Sequence, residues 1–109
     1  MGINAFTQMG NTVVFTAATS APTPVQAASR TLGGNQYRII NPGTVTVFLG
    51  YGDTAANATA SALVVSSSQA SLPILPGTDE ILTFVPNAYF TGITSSGSTA
   101  IYVTPGDGV

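Results

Sequence analysis

Cysteine, histidine, tryptophan and lysine are all missing from this 109-residue chain, and only 6% of its residues are charged. An ordinary soluble domain carries about 25% charged residues. Without Cys or His, the chain cannot form a disulfide, a Cys/His zinc site or an imidazole-based catalytic triad. Two arginines do not neutralise the several phosphates that nucleic-acid binding requires. We therefore expect a non-enzymatic protein with no metal, no cofactor and no direct nucleic-acid partner.

Long apolar runs are also missing. No stretch approaches the ~20 apolar residues of a membrane span. The segment Met1–Gln8 has neither the basic residues nor the apolar core of a secretory signal. The sequence therefore predicts no secretory signal and no membrane partner.

Amphipathic helical spacing is absent as well, whereas 12 glycines and 7 prolines divide the chain into short pieces. Those pieces are rich in β-branched and aromatic residues, as in strands. The sequence predicts an all-β fold, a small antiparallel β-sandwich or jelly roll of about seven to eight short strands in one domain, 1–109. Only 55–62 resembles a helical turn. The main predicted strands are 11–18, 35–41, 44–50, 80–85, 88–94 and 99–104, with shorter extended pieces at 63–67 and 70–75. Within 35–41, alternation predicts Tyr37 and Ile39 on one face and Arg38 and Ile40 on the other.

Turn chemistry suggests how these strands connect. Pro42-Gly43 predicts a type II turn over Asn41–Thr44 and a hairpin between the flanking strands. Residues 95–98 read as a second hairpin loop, Gly92 as a bulge, and Pro105-Gly106 as the end of the last strand. The segments 1–10 and 19–34 are expected to be extended arms. The predicted core consists of Val14, Phe15, Ile39, Val45, Val47, Leu49, Leu82, Phe84, Phe90, Ile101 and Val103.

The carboxylates do not form a recognisable catalytic or metal site. Asp79 and Glu80 are adjacent, so on a strand they point to opposite faces and cannot flank one substrate. Asp53 and Asp107 are too few for a calcium site, and Asp53 fits an ordinary Asx turn. We therefore expect these carboxylates to lie in turns or to make intermolecular contacts.

Low charge instead favours self-association. Soluble monomers keep apart by charge and protect their edge strands with lysine and proline. This chain has few charges, and its polar residues are neutral. We expect a homo-oligomer in which the two arginines meet carboxylates or carbonyls, including those of a neighbouring chain. The candidate interface residues are Arg30, Arg38, Tyr51, Asp53, Asp79, Glu80, Tyr89 and Tyr102.

The C-terminal third carries a resemblance. A Pro-Gly turn leads into a strand at 75–84, an Asn-x-Tyr-Phe strand follows at 87–94, and the strand 99–104 runs into Pro105-Gly106. This pattern resembles the small virion structural proteins of tailed bacteriophages. The resemblance implies a jelly-roll or sandwich cement protein that decorates the capsid and contacts the major capsid protein and its own copies in the virion. No catalytic residue comes with it.

Two alternatives stay open. One is another virion component, such as a tail, head-fibre or connector part, which copy number per particle distinguishes. The other is a carbohydrate- or surface-binding β module, with Tyr51, Tyr89 or Tyr102 stacking on sugar rings.

Overall fold

Strands dominate the computed structural model, which describes residues 7–28, 35–65 and 71–107. Within these ranges there are nine strands and one helix. The strands are β1 (Thr7–Gln8), β2 (Val13–Ala17), β3 (Val25–Gln26), β4 (Gln36–Asn41), β5 (Val47–Gly52), β6 (Leu72–Ile74), β7 (Thr78–Thr83), β8 (Tyr89–Ile93) and β9 (Thr99–Asp107). The helix is α1 (Ala55–Ser61).

The strands form two antiparallel sheets packed as a sandwich. The five-stranded sheet has the order β1-β9-β4-β7, with β2 also paired to β9. The four-stranded sheet has the order β3-β8-β5-β6. A parallel bridge between Ala18 and Ile93 joins the two sheets at one corner. The predicted fold class is confirmed; the strand count is higher because β1 and β3 are only two residues long.

Alternating residues of both sheets fill the space between them. On β4, Tyr37 and Ile39 are fully buried while Arg38 is exposed, as the alternation predicts. Val14 was wrongly predicted in the core: Phe15 and Ala17 take the inner positions of β2, which leaves Val14 51% exposed. Val45, Leu82 and Phe84 are only partly buried. The largest fully buried apolar side chains are Tyr37, Phe90, Ile39, Leu49, Ile74, Ile101, Val47 and Val103.

Both predicted hairpins are wrong because the chain changes sheets at those points. β4 belongs to the five-stranded sheet and β5 to the four-stranded one, and the same division separates β9 from β8. The predicted type II turn is also absent, since the positive-φ glycines of the described residues are Gly77 and Gly97, not Gly43. Local turn chemistry marked where the chain bends but not which strand it pairs with afterwards.

Asn41 stabilises the first of these crossings, the segment between β4 and β5. Its side chain is fully buried at the end of β4. The amide Nδ2 donates to the carbonyls of Val45 at 2.9 Å and Ile74 at 3.0 Å. Its Oδ1 accepts from the backbone N–H of Gly43 at 3.1 Å and from the hydroxyl of Thr99 at 3.4 Å. One polar side chain thus ties together the crossing, β6 and the start of β9.

β9 continues through Pro105-Gly106 to Asp107, so the predicted stop is wrong. Tyr37 pairs with Pro105 and Gln36 with Gly106. The Pro105 carbonyl accepts from the N–H of Met9, on the side of β9 away from β4. Backbone groups of one residue point the same way, so the missing proline N–H faces that side and leaves the β4 ladder intact.

Gly92 does not form a bulge either. Its pairing with Leu49 lies within a continuous register between β5 and β8. A Cβ on Gly92 would lie 2.7 Å from Val47 Cγ1 and 3.0 Å from the Phe15 ring. The glycine is therefore explained by close packing across the sandwich.

Helix α1 covers the outer side of the four-stranded sheet. Thr54 caps its N-terminus by accepting from the Asn57 N–H at 3.2 Å. A Cβ at Gly50 would lie 2.7 Å from Ala62 Cβ, and one at Gly52 would lie 2.6 Å from Asn57 Cβ. Small residues on both sides thus let helix and sheet approach closely. The described helix, α1, is not long and apolar enough to cross a membrane.

The two expected arms are partly described. In the segment 19–34, Val25–Gln26 form β3 and pair with β8, and the Ala27 N–H donates to the Ala88 carbonyl at 3.0 Å. In the segment 1–10, Thr7–Gln8 form β1 on β9. Residues 1–6 and 29–34 lie outside the described residues, as do 66–70; residues 63–65 form no strand.

Candidate interaction surface

One broad face of the sandwich has no described helix over it. It is the side of the five-stranded sheet that points away from the core. The register puts Val14 opposite Tyr102, Tyr102 opposite Ile40, and Ile40 opposite Asp79. A neighbouring row runs through Thr104, Arg38 and Ile81. We call the following residues the outer face: Val14, Arg38, Ile40, Asp79, Ile81, Tyr102 and Thr104.

Four of the seven outer-face residues are apolar. Val14 is 51% exposed, and Tyr102 and Ile81 are each 40% exposed. Ile40 lies half-buried between them. The neutral side chain of Thr104 continues the face, and its hydroxyl is 2.7 Å from that of Thr12. Contiguous exposed apolar surface of this kind marks interaction sites in soluble proteins.

Arg38 and Asp79 form an ion pair between β4 and the edge strand β7 on this face. Arg38 Nη2 lies 2.6 Å from Asp79 Oδ2, and the two side chains are 48% and 50% exposed. At this exposure the pair contributes at most about 1 kcal/mol to stability. Its main consequence is that the two formal charges of the outer face cancel, so the face carries no net charge to attract nucleic acid or an anionic surface.

Of the three candidate tyrosines, only Tyr102 lies on the outer face. Tyr51, on β5, is half-buried and meets the edge of Phe84 at a centroid distance of 4.8 Å. It also lies 6.3 Å from the ring of Phe90. Tyr89 begins β8 and is half-buried. Tyr51 therefore packs against the core, and Tyr89 belongs to the four-stranded sheet.

The remaining candidates are dispersed. Asp53 accepts from Asn57 Nδ2 at 2.7 Å, beside the capped start of α1. Glu80 is exposed and pairs with Ile39, on the opposite face of β7 from Asp79. Arg30 lies outside the described residues, as does the side chain of Asp107. Arg38, Asp79 and Tyr102 are thus brought to one face, whereas Tyr51, Asp53, Glu80 and Tyr89 are not.

Titratable and metal-binding chemistry is sparse. Burial raises the pKa of the Tyr37 phenol, and the Ala88 N–H that donates to its oxygen acts in the opposite direction. The same hydroxyl donates to the Val85 carbonyl. In the described ranges, no three Asp, Glu, His or Cys side chains come together as a metal site.

Sequence reasoning wrongly assigned one member of the outer face, Val14, to the core. Alternation could have placed it correctly: if Phe15 and Ala17 point inward, Val14 must point outward. Ile40 and Ile81 were not predicted in the core, but they were not recognised as candidate interface residues either.

Comparison with family models, with curated proteins and with solved structures finds no match to this chain.

Proposed function

We propose that this protein is a non-enzymatic structural subunit that works by contact, and that it decorates a larger protein shell of the phage-capsid type. The observation that carries the proposal is the outer face. It is broad, partly apolar, electrically balanced and uncovered by any described segment, whereas the opposite face of the sandwich is covered by α1.

The chemistry of the outer face favours a protein partner. Interface centres are depleted in charge and enriched in aromatic residues and arginine. Val14, Tyr102 and Ile81 supply apolar area around Arg38, whose charge is already balanced by Asp79. The resemblance of residues 75–108 to phage virion proteins supports the major subunit of a capsid as that partner. Binding only the assembled shell would stabilise it by mass action.

Electron microscopy of native particles tests this proposal. Particles from the source of the sequence are imaged with an antibody against the purified chain. We expect label over the whole shell, at a copy number comparable with the major subunit. Label confined to one vertex or to a tail would favour the alternative virion component, and unlabelled particles would refute a role in the virion.

Matched variants test the face itself. Val14→Asp places a charge in the apolar row, and Ala56→Asp adds the same charge to the exposed side of α1. We expect purified Val14→Asp chain to fail to rebind shells from which the protein has been stripped, and Ala56→Asp chain to rebind like the wild type. Equal rebinding of both variants would refute the assignment of the outer face.

A further inference from the structure

The five-stranded sheet ends in β7, an edge strand that is only partly protected. β7 pairs with β4 over all six of its residues in a continuous register, and no described strand pairs with its other side. It contains neither proline nor lysine, two residues that commonly block such edges, although Asp79 and Glu80 place carboxylates on it. Four of its six residues are exposed.

The other edge strands are shorter. In the four-stranded sheet, the edge strands β3 and β6 have two and three residues, and β6 contains Pro73. Beside β9, strand β2 has five residues, and the residue after it, Ala18, bridges to Ile93 of the second sheet. With six residues, β7 is therefore the longest edge strand of the described sandwich.

Alternate residues of β7 have backbone groups with no partner strand among the described residues. The N–H of Phe84, the residue after β7, donates to the Asn35 carbonyl at 2.7 Å. This bond shows that the even-numbered residues are the ones whose backbone groups face β4. Residues 78, 80 and 82 then direct their N–H and C=O groups at β4. Asp79, Ile81 and Thr83 direct theirs at the free edge.

We propose that β7 pairs antiparallel with β7 of a second copy, about a two-fold axis at Ile81. This register places Ile81 opposite its counterpart and Asp79 opposite the second copy's Thr83. Each such pair exchanges two hydrogen bonds, so three pairs give about six. The inference rests on the proposed function, because it names the contact between copies that a shell-coating protein would use.

Charge selects this register from its neighbours. A two-fold axis at Asp79 or at Glu80 would put a carboxylate directly opposite its own copy, which is unfavourable. An axis at Ile81 places Glu80 opposite Leu82 and gives Asp79 a hydroxyl as its neighbour. An axis at Leu82 leaves only two bonded pairs. The Ile81 axis thus makes the most hydrogen bonds without opposing like charges, and it extends the outer face across both copies.

Sedimentation velocity on purified chain over a concentration series tests the pairing. We expect the wild type to dimerise, and Ile81→Lys and Ile81→Asp each to weaken dimerisation by at least about tenfold. An equimolar mixture of these two variants should regain the dimer, because residue 81 faces itself across the axis. Thr59→Lys, which adds a charge on exposed α1, is the control and should dimerise normally.

Ile81→Pro keeps the test independent of side-chain charge. It removes one outward N–H without touching the ladder to β4, so the variant should fold, as measured by circular dichroism, and fail to dimerise. Ile81→Thr keeps this N–H and should both fold and dimerise. A wild-type monomer at all concentrations, or a Lys/Asp mixture that stays monomeric, would overturn the pairing. A monomer that still coats shells would refute only this inference, and a β7 dimer that binds no shell would refute only the proposed function.

Discussion

Truncating Asn41 to alanine is expected to destabilise the fold more than any exposed polar substitution. The change removes three hydrogen bonds of 2.9–3.1 Å and a longer one of 3.4 Å from a fully buried position. At about 1 kcal/mol for each of the three shorter bonds, the free energy of unfolding falls by about 3 kcal/mol. With a urea slope of about 1.5 kcal/mol per M, the unfolding midpoint falls by about 2 M.

Urea unfolding followed by circular dichroism measures this loss. Gln36→Ala is the matched control on the same strand, since its exposed amide makes only a 3.5 Å contact with Thr83. We expect the control to change stability by at most about 0.5 kcal/mol. A loss below about 1 kcal/mol for Asn41→Ala would refute the view that this amide ties the two sheets together.

The isosteric variant Asn41→Asp adds a pH-dependent test of the same site. A carboxylate there would face two carbonyl oxygens in a buried position, so we expect the pKa of the introduced group to be raised. A raised folded-state pKa makes the variant most stable at low pH, and its stability falls as pH rises through that pKa. Exposed Asn35→Asp should show no such fall relative to wild type. A pH-independent difference between Asn41→Asp and wild type would contradict the geometry.

Three further outcomes follow from the packing and the charges. Gly50→Ala should lower the free energy of unfolding by about 1–3 kcal/mol, measured by urea, because the added methyl meets the Ala58 carbonyl. Ultraviolet titration should show Tyr37 ionising at higher pH than an exposed tyrosine, because burial raises its pKa. Since the folded-state pKa is above the unfolded-state pKa, the neutral phenol's contribution to stability is lost as the pH rises from the unfolded-state pKa through the folded-state pKa. Arg38→Ala should change the melting temperature little, because its pair with Asp79 is half exposed and contributes at most about 1 kcal/mol.

The alternation of side chains made much of the fold predictable. On β4 it correctly separated Tyr37 and Ile39 from Arg38, and the strand-and-turn spacing correctly indicated an antiparallel sandwich. These features depend on residues within a few positions of each other. The period of a strand is two, so a short sequence is sufficient to define its two faces.

The connections between strands could not be predicted, because the contacts that decide them are distant in sequence. Asn41 bonds Ile74 and Thr99, which are 33 and 58 residues away. β9 continues through Pro105 because the position of the missing proline N–H faces away from β4. The position of α1 against the sheet depends on Gly50 and Gly52, which are strand residues and give no sequence signal for a helix.

The candidate site was predicted only in part. Arg38, Asp79 and Tyr102 were expected at an interface and lie on the outer face. The sequence indicated that arginine would meet a carboxylate, and Arg38 does so within its own chain. Val14 was assigned to the core, and Ile40 and Ile81 were not named as interface candidates, since an outward-facing apolar residue in a strand is of the same type as an inward-facing one.

Covalent labelling of native particles by hydroxyl radicals tests the central claim most directly. Tyr102 and Leu63 have similar exposure in the free chain, 40% and 44%, but Leu63 does not belong to the outer face. A protein that acts by seating its outer face on a shell should show Tyr102 protected in particles and Leu63 labelled as in the free chain. Unchanged labelling of Tyr102, or protection of Leu63 alone, would contradict the account.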